Sequence, residues 1–223
     1  MQSIKTIYKI GPGPSSSHTF GPMMASKYIN EHYPEATNFK ITLFGSLALT
    51  GKGHLTDKII LKTLGASKCE IVFDMKTPVE HPNTMIIEVF ENDTKIAEHT
   101  FVSIGGGKIE IDGKKGNVDP EIYPHTKMDD IQVYCNERHL RLDQYIDEVE
   151  DSDFDSYMNQ IFKQMLKTVN TGLKKTGVLP GSLKIDRVAH ALYQSAQSCS
   201  DIQDKNSLLL SSYAYAANEQ NAS

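Results

Sequence analysis

The sequence predicts an α+β N-terminal domain, a mixed sheet with flanking helices, followed by an all-α segment. Three observations carry that expectation. Residues 39 to 111 hold five short runs in which apolar and polar residues alternate, punctuated by glycine, proline, asparagine and aspartate. Ahead of them, a turn rich in glycine, proline and serine opens a run with helical spacing. From Met128 onward the period changes, and apolar residues recur at spacings of three and four almost to the end of the chain.

In chain order, Ile4, Ile7 and Ile10 are read as docking the N-terminus onto a core. Gly13 and Pro14 force a bend, and Ser15, Ser16, Ser17, His18 and Thr19 then offer four hydroxyls and an imidazole. Pro22 suits a first helical turn, where a missing N–H costs little. A hydroxyl-rich turn at the start of a helix can hold a carboxylate or phosphate, or it can simply cap the helix. The helix should end near Tyr33, before Pro34.

Strands are expected at 39–44, 69–73, 84–90, 95–104 and 109–111, with an Asn92-Asp93 turn joining the third and fourth as a hairpin. Between the first two, the loop 45–57 places Lys52 between two glycines and His54 just beyond. Such a backbone can present an ammonium and an imidazole to one space, although a solvated lysine and a loop histidine are equally ordinary readings. Thr56 or Asp57 would cap a helix over 58–64. His81, between Glu80 and Pro82, reads as a loop residue. Gly105, Gly106 and Gly107 permit close approach of a backbone or ligand at the end of the fourth strand. Residues 114–125 are irregular and polar, and a domain boundary is placed after 127. Helices follow at 128–136, 142–149, 154–174, 183–198 and 206–218, with a break at 177–181. Tyr157, Ile161, Met165, Val169 and Leu173 form a stripe read as core.

Composition narrows the function classes. The 223-residue chain has a net charge of −5, which argues against nucleic acid as the main partner. No apolar run approaches the ~20 residues of a membrane span, and no signal peptide is evident at the N-terminus, so the cytoplasm is the default location. Cys69, Cys135 and Cys199 are far apart and make neither a disulfide framework nor a zinc signature.

Gly13-Pro14-Ser15-Ser16-Ser17-His18-Thr19 with Gly21-Pro22-Met23 resembles the opening motif of the iron–sulfur-dependent L-serine dehydratases (L-serine ammonia-lyases), in particular their β domain. Gly45 to Asp57, Ser103 to Gly107 and Thr176 to Gly181 resemble the same family. The resemblance implies a serine dehydratase β-like domain over 1–127, then a helical linker and the beginning of the catalytic α domain over 128–223. It implies conversion of L-serine to pyruvate and ammonia by elimination of water, with a 4Fe-4S cluster acting as Lewis acid on substrate oxygen. The cluster cysteines would lie outside this chain, and no metal ligand is assigned within it. His54 and His18 are then the candidates for catalysis, by substrate contact and proton transfer. Ser15, Ser16, Ser17 and Thr19 would hold the carboxylate or ammonium, Lys52 would add positive charge, and Gly105, Gly106 and Gly107 would shape the loop that closes on the α domain. The implied partners are L-serine and the remaining α portion, in a homo- or hetero-oligomer. The alternative is a non-catalytic domain that senses an amino acid or small anion through the same loops.

Overall fold

The computed structural model describes residues 1–116, 119–180 and 184–222. The chain divides into two compact units, Met1–Ile10 with Asn117–Leu166, and Gly11–Gly116 with Lys167–Ser223. Each unit is discontinuous in sequence.

The larger unit is built on a six-stranded sheet. Its first helix, α1 (Gly21–His32), is followed by β1 (Asn38–Phe44), the short α2 (Gly45–Thr50), α3 (Thr56–Leu64) and β2 (Cys69–Asp74). Then come β3 (Thr84–Glu91), β4 (Thr94–Gly105), β5 (Lys108–Ile111) and the two-residue β6 (Lys114–Lys115). The spatial order is β2-β1-β3-β4-β5-β6. β1 and β2 are parallel, joined by the α2–α3 crossover, and every other pair is antiparallel, so the sheet is mixed as expected. The β3–β4 hairpin turns at Asn92 and Asp93, both at positive φ, the conformation a tight two-residue hairpin requires.

One face of the sheet supplies the core. Met85, Ile87 and Val89 alternate along β3, Ile41 and Leu43 come from β1, and Phe101 from β4. Ala25 and Ile29 of α1, with Ile60 and Leu64 of α3, close over them.

The topology gathers one set of loops. The C-terminal ends of β1, β2 and β4 and the N-terminal ends of β3 and β5 all lie at the same end of the sheet, because Leu43 pairs Met85, Thr84 pairs Val102 and Gly105 pairs Lys108. Loop 45–57, the Pro82 turn and the glycine run therefore emerge together.

In the smaller unit, α4 (Met128–Arg138), α5 (Leu142–Val149) and the first part of α6 (Phe154–Gly172) follow the expected helices. Tyr123, Ile131, Cys135 and Tyr145 form their core, and Ile4 packs on it. Ile7 and Ile10 do not dock. They are 74% and 52% exposed, because the segment is fastened by polar groups instead of an apolar stripe. The Glu150 carboxylate accepts hydrogen bonds from Ser3 Oγ (2.6 Å), Ile4 N (2.8 Å) and Tyr123 Oη (2.7 Å). Burial pushes the Glu150 pKa up, but these donors and the Lys5 charge outweigh it and hold the carboxyl below its ordinary value. The stripe on α6 is only partly core: Ile161 is buried, whereas Met165 is 56% exposed.

The last helices, α7 (Ala189–Ser198) and α8 (Ile202–Asn221), pack as an antiparallel pair in the larger unit. Glu219 near the end of α8 caps α7, accepting from Val188 N (2.7 Å) and Ala189 N (3.1 Å). α7 starts later than the expected 183 because backbone pairing between Gly177 and Arg187 and between Leu179 and Ile185 occupies the chain first. Gly181 and Leu183, which fall in the expected break and helix, lie outside the described residues. α8 starts earlier than 206, because Asp201 caps Gln203 N and Asp204 N ahead of a polar first turn that hides the helical period.

Among the described residues, no helix is long and apolar enough to cross a membrane. Replacing Glu150 with Ala should leave the buried Tyr123 hydroxyl without an acceptor and cost about 1–3 kcal/mol. Urea unfolding would read that loss, and limited proteolysis should show earlier cleavage within residues 1–10.

Candidate functional site

Pro22 shapes the serine turn. A proline lacks the N–H that would bond the carbonyl four residues earlier, and its ring crowds that carbonyl. Here that carbonyl belongs to His18. The chain answers with a π-helical turn, Ser16–Phe20, which runs directly into α1. The His18 carbonyl accepts instead from Thr56 Oγ1 at 2.6 Å, and Thr56 is fully buried. Thr56 is thus no helix cap as the sequence suggested. It is the first residue of α3, whose N-cap position is Leu55 in left-handed conformation with no side-chain cap.

Pro22 is the second residue of α1 and so lies in its first turn, as expected, with the π-helical turn running into it. Thr19 N and Phe20 N are bonded to Ser15 O, and His18 N is capped by Ser15 Oγ at 3.2 Å. Ser16 is exposed, and Ser15 and Ser17 are half-buried. Thr19 is buried. Its hydroxyl bonds Ser15 O and Pro12 O within the turn, so it braces the turn from inside.

The His18 ring, 8% exposed, is the hub. Its Nδ1 lies 3.0 Å from Ser17 Oγ and 3.4 Å from Ser15 Oγ. Its Nε2 lies 3.0 Å from both Ser46 Oγ and Thr50 Oγ1. Ser46 and Thr50 stand one turn apart on α2, which forms because Gly45 takes a positive φ of 50° and Ser46 N bonds Pro82 O at 2.7 Å. A side chain at Gly45 would also collide with the Pro82 backbone. Burial lowers the His18 pKa, the nearby His54 lowers it further, and a hydrogen bond from the ring to the Ser46 backbone works the other way.

His54 lies beside it, ring centroids 4.6 Å apart and planes 37° from parallel. Its Nδ1 is 3.0 Å from Thr50 O, and Nε2 has no hydrogen-bond partner among the described residues. Lys52 is exposed and lies over the Phe73 ring, 5.0 Å from its centroid, with no carboxylate partner among the described residues.

The glycine run reaches the serine turn through Phe20. Side chains at Gly107 or Gly11 would strike the Phe20 ring, so both glycines pack directly on it. Gly21 is pressed against Ser103 in the same way. Gly105 and Gly106 face open space, both at positive φ. The structure therefore brings Ser15, Ser17, His18 and His54 together, sets Gly107 behind the turn, and leaves Lys52, Gly105 and Gly106 without contact to the two imidazoles. Sequence reading missed Ser46, Thr50 and Phe20. The available signal was the four-residue spacing of Ser46 and Thr50 behind a glycine. His81 accepts a bond from Asn83 N (3.1 Å) and remains a loop residue, as expected.

The cysteines do not fit an iron–sulfur cradle. Burial pushes the Cys69 thiol up to about 11, away from the thiolate that ligation needs. Among the described residues, no group of three His, Cys, Asp or Glu side chains could hold a metal ion.

The family described as "Serine dehydratase beta chain" matches residues 3–72. Across its whole length the chain is 29% identical over 280 residues to L-serine dehydratase 2 of Escherichia coli (strain K12), covering 61% of that protein. It is 27% identical over 277 residues to the L-serine dehydratase of Haemophilus influenzae, again covering 61%. With the L-serine dehydratase of Helicobacter pylori (strain ATCC 700392 / 26695) it shares 30% identity over 275 residues, 99% of this chain and 60% of that one. Residues 3–72 are thus similar to the β chain of serine dehydratases, and the chain spans about three-fifths of the length of these curated relatives.

Two outcomes test the geometry. Thr56→Val removes the hydroxyl that satisfies the His18 carbonyl and should cost about 1–3 kcal/mol in urea unfolding. The lowered His18 pKa means that the unfolded chain binds this proton more readily than the folded one. Stability from this residue is therefore intact above the ordinary histidine value of 6.5 and is lost as pH falls below it, toward the folded pKa. Between about pH 7 and pH 5 the urea midpoint should fall, and His18→Gln should flatten that slope.

Proposed function

We propose that this chain is part of an L-serine ammonia-lyase, which converts L-serine to pyruvate and ammonia, and that the His18–His54 cluster is one wall of its substrate site. The observation that carries the reading is the pairing of the two imidazoles with the serine-turn hydroxyls, in a chain similar along its whole length to L-serine dehydratases.

The reaction needs a base for the Cα proton as hydroxide leaves Cβ. Loss of water gives aminoacrylate, which tautomerises to the imine and hydrolyses. His54 is the residue suited to take the proton. Its Nδ1–H is spent on the Thr50 carbonyl, which leaves the Nε2 lone pair facing outward for substrate. His18, buried and neutral, orders the hydroxyls around it. Ser15, Ser16 and Ser17 offer polar contacts to the carboxylate or ammonium, Thr19 braces them, and Lys52 adds positive charge at the rim. Gly105 and Gly106 give the loop beside the turn freedom to close on the rest of the enzyme, while Gly107 anchors it on Phe20.

On this reading, residues 1–127 correspond to the β-like domain and 128–223 to the helical linker and the beginning of the α domain. The 4Fe-4S cluster of the complete enzyme would be held by cysteines outside this chain. The enzyme would work in the cytoplasm as an oligomer that includes the remaining α portion.

The test is anaerobic. The chain is combined with the missing α portion, iron and sulfide are reconstituted, and pyruvate is assayed from L-serine. The combined sample should turn over, and His54→Ala should lower kcat about 100-fold or more. Unchanged turnover in that variant would remove His54 from the chemistry. Stabilisation by L-serine with no pyruvate formed would favour the sensing domain instead.

A further inference from the structure

We propose that Thr50 is a positioning residue that holds the two imidazoles in opposite tautomers, His18 protonated on Nε2 and His54 protonated on Nδ1. The assignment follows from counting hydrogens. A backbone carbonyl can only accept, so the 3.0 Å contact from His54 Nδ1 to Thr50 O requires the proton on Nδ1. The neutral ring then keeps its lone pair on Nε2.

The Thr50 hydroxyl has one hydrogen, and it is donated to Ser46 O at 2.9 Å, the usual bond of a helical threonine to the carbonyl one turn back. Only oxygen lone pairs are left to face His18 Nε2, 3.0 Å away. If Nε2 also carried a lone pair, two acceptors would confront each other in a buried site, an arrangement that costs the lost bond and adds repulsion. With the proton on Nε2, Thr50 Oγ1 and Ser46 Oγ both accept from it, and His18 Nδ1 accepts in turn from the Ser17 hydroxyl at 3.0 Å. Every contact around the ring is then favourable. Burial and the neighbouring His54 disfavour the doubly protonated ring, which would otherwise satisfy the same contacts.

The consequence reaches the serine turn. Ser17 points its hydrogen at His18, and Ser15 can donate to Ser17 Oγ at 3.3 Å or to the same imidazole nitrogen. The hydroxyl hydrogens therefore turn inward, and the oxygens offer lone pairs to a donor from outside, such as the ammonium of an amino acid. Thr50 thereby sets the basic nitrogen of His54 through its carbonyl and the polarity of the turn through its hydroxyl. The relevance to substrate rests on the function proposed above, whereas the tautomers do not, so the two can fail separately.

The experiment is a long-range proton–nitrogen correlation spectrum of the full chain with 15N-labelled histidine, recorded near neutral pH. Signals are assigned with His18→Gln and His54→Ala. The wild type should show a protonated, pyrrole-like Nε2 and a pyridine-like Nδ1 for His18, and the reverse for His54. Thr50→Val should abolish the preference at His18 and leave the His54 pattern in place, since that bond uses the backbone. Thr50→Ser, which keeps the hydroxyl, should restore the wild-type pattern at His18. A wild-type His18 protonated on Nδ1, or a folded Thr50→Val protein with an unchanged His18 pattern, overturns the proposal. Unchanged signals from His99, held between Tyr33 and Asp112 in the larger unit that carries Thr50, report that the variants are folded. Should Thr50→Val fail to fold, the wild-type and Thr50→Ser spectra still decide, because either one protonated on Nδ1 overturns the assignment.

Discussion

A missing hydrogen-bond donor organises this site. Pro22 cannot serve the His18 carbonyl, and a proline placed there in a regular α-helix would leave that carbonyl buried and unpaired. The widened turn makes room for the ring, and Thr56, thirty-eight residues further along the chain, supplies the hydroxyl. That single bond ties the serine turn to the start of α3. It also fixes where the His18 side chain can point, which is toward α2, where Ser46 and Thr50 meet its Nε2. The backbone problem created by one residue is thus solved in a way that assembles three segments.

The sheet provides the frame for that assembly. In a mixed sheet with one parallel pair, chain directions decide which loops share an end. Here the loops after β1 and β4 and the turn before β3 emerge together, and short bonds stitch them: Ser46 N to Pro82 O, and Ser103 N to Asn83 O at 3.0 Å. Phe20 then fills the space between two glycines, Gly11 and Gly107, that leave no room for side chains. Glycine at these two positions is a packing requirement, whereas at Gly105 and Gly106, with open space around them, it is a requirement of positive φ.

The strands were legible because their signal is local. Met85, Ile87 and Val89 announce a half-buried strand without reference to any other residue, and Asn92-Asp93 announces the turn that follows. The serine turn and the His54 loop were legible as unusual chemistry, and their family resemblance agrees with the relatives found. What was not legible depends on partners distant in sequence. The N-terminal isoleucines suggested an apolar anchor, which Ile4 alone provides, while the Glu150 carboxylate, which no pattern near Ile4 reveals, adds a polar fastening. Thr56 has the composition of a cap, and only the Pro22–His18 geometry shows that its hydroxyl is engaged elsewhere. Ser46 and Thr50 lie in a six-residue helix, too short to register as a period, and begin to matter only when His18 is folded against them.

Burial divides the work between the two histidines. A proton added to His18 would have to be stabilised by neutral hydroxyls at a buried ring, beside a second imidazole, and burial opposes this. The ring is therefore suited to hold a network in one arrangement and poorly suited to accept charge during a reaction. His54 lies at the edge of the same network with one nitrogen fixed by a carbonyl and the other unpartnered among the described residues. A proton acceptor needs that combination, a rigid ring and an accessible lone pair whose new charge water or substrate can solvate. The two rings lie 4.6 Å apart between centroids, so the network around the first borders the second. Under the function proposed above, substitutions at His18 would then act on the order of the serine turn, and substitutions at His54 on the proton transfer.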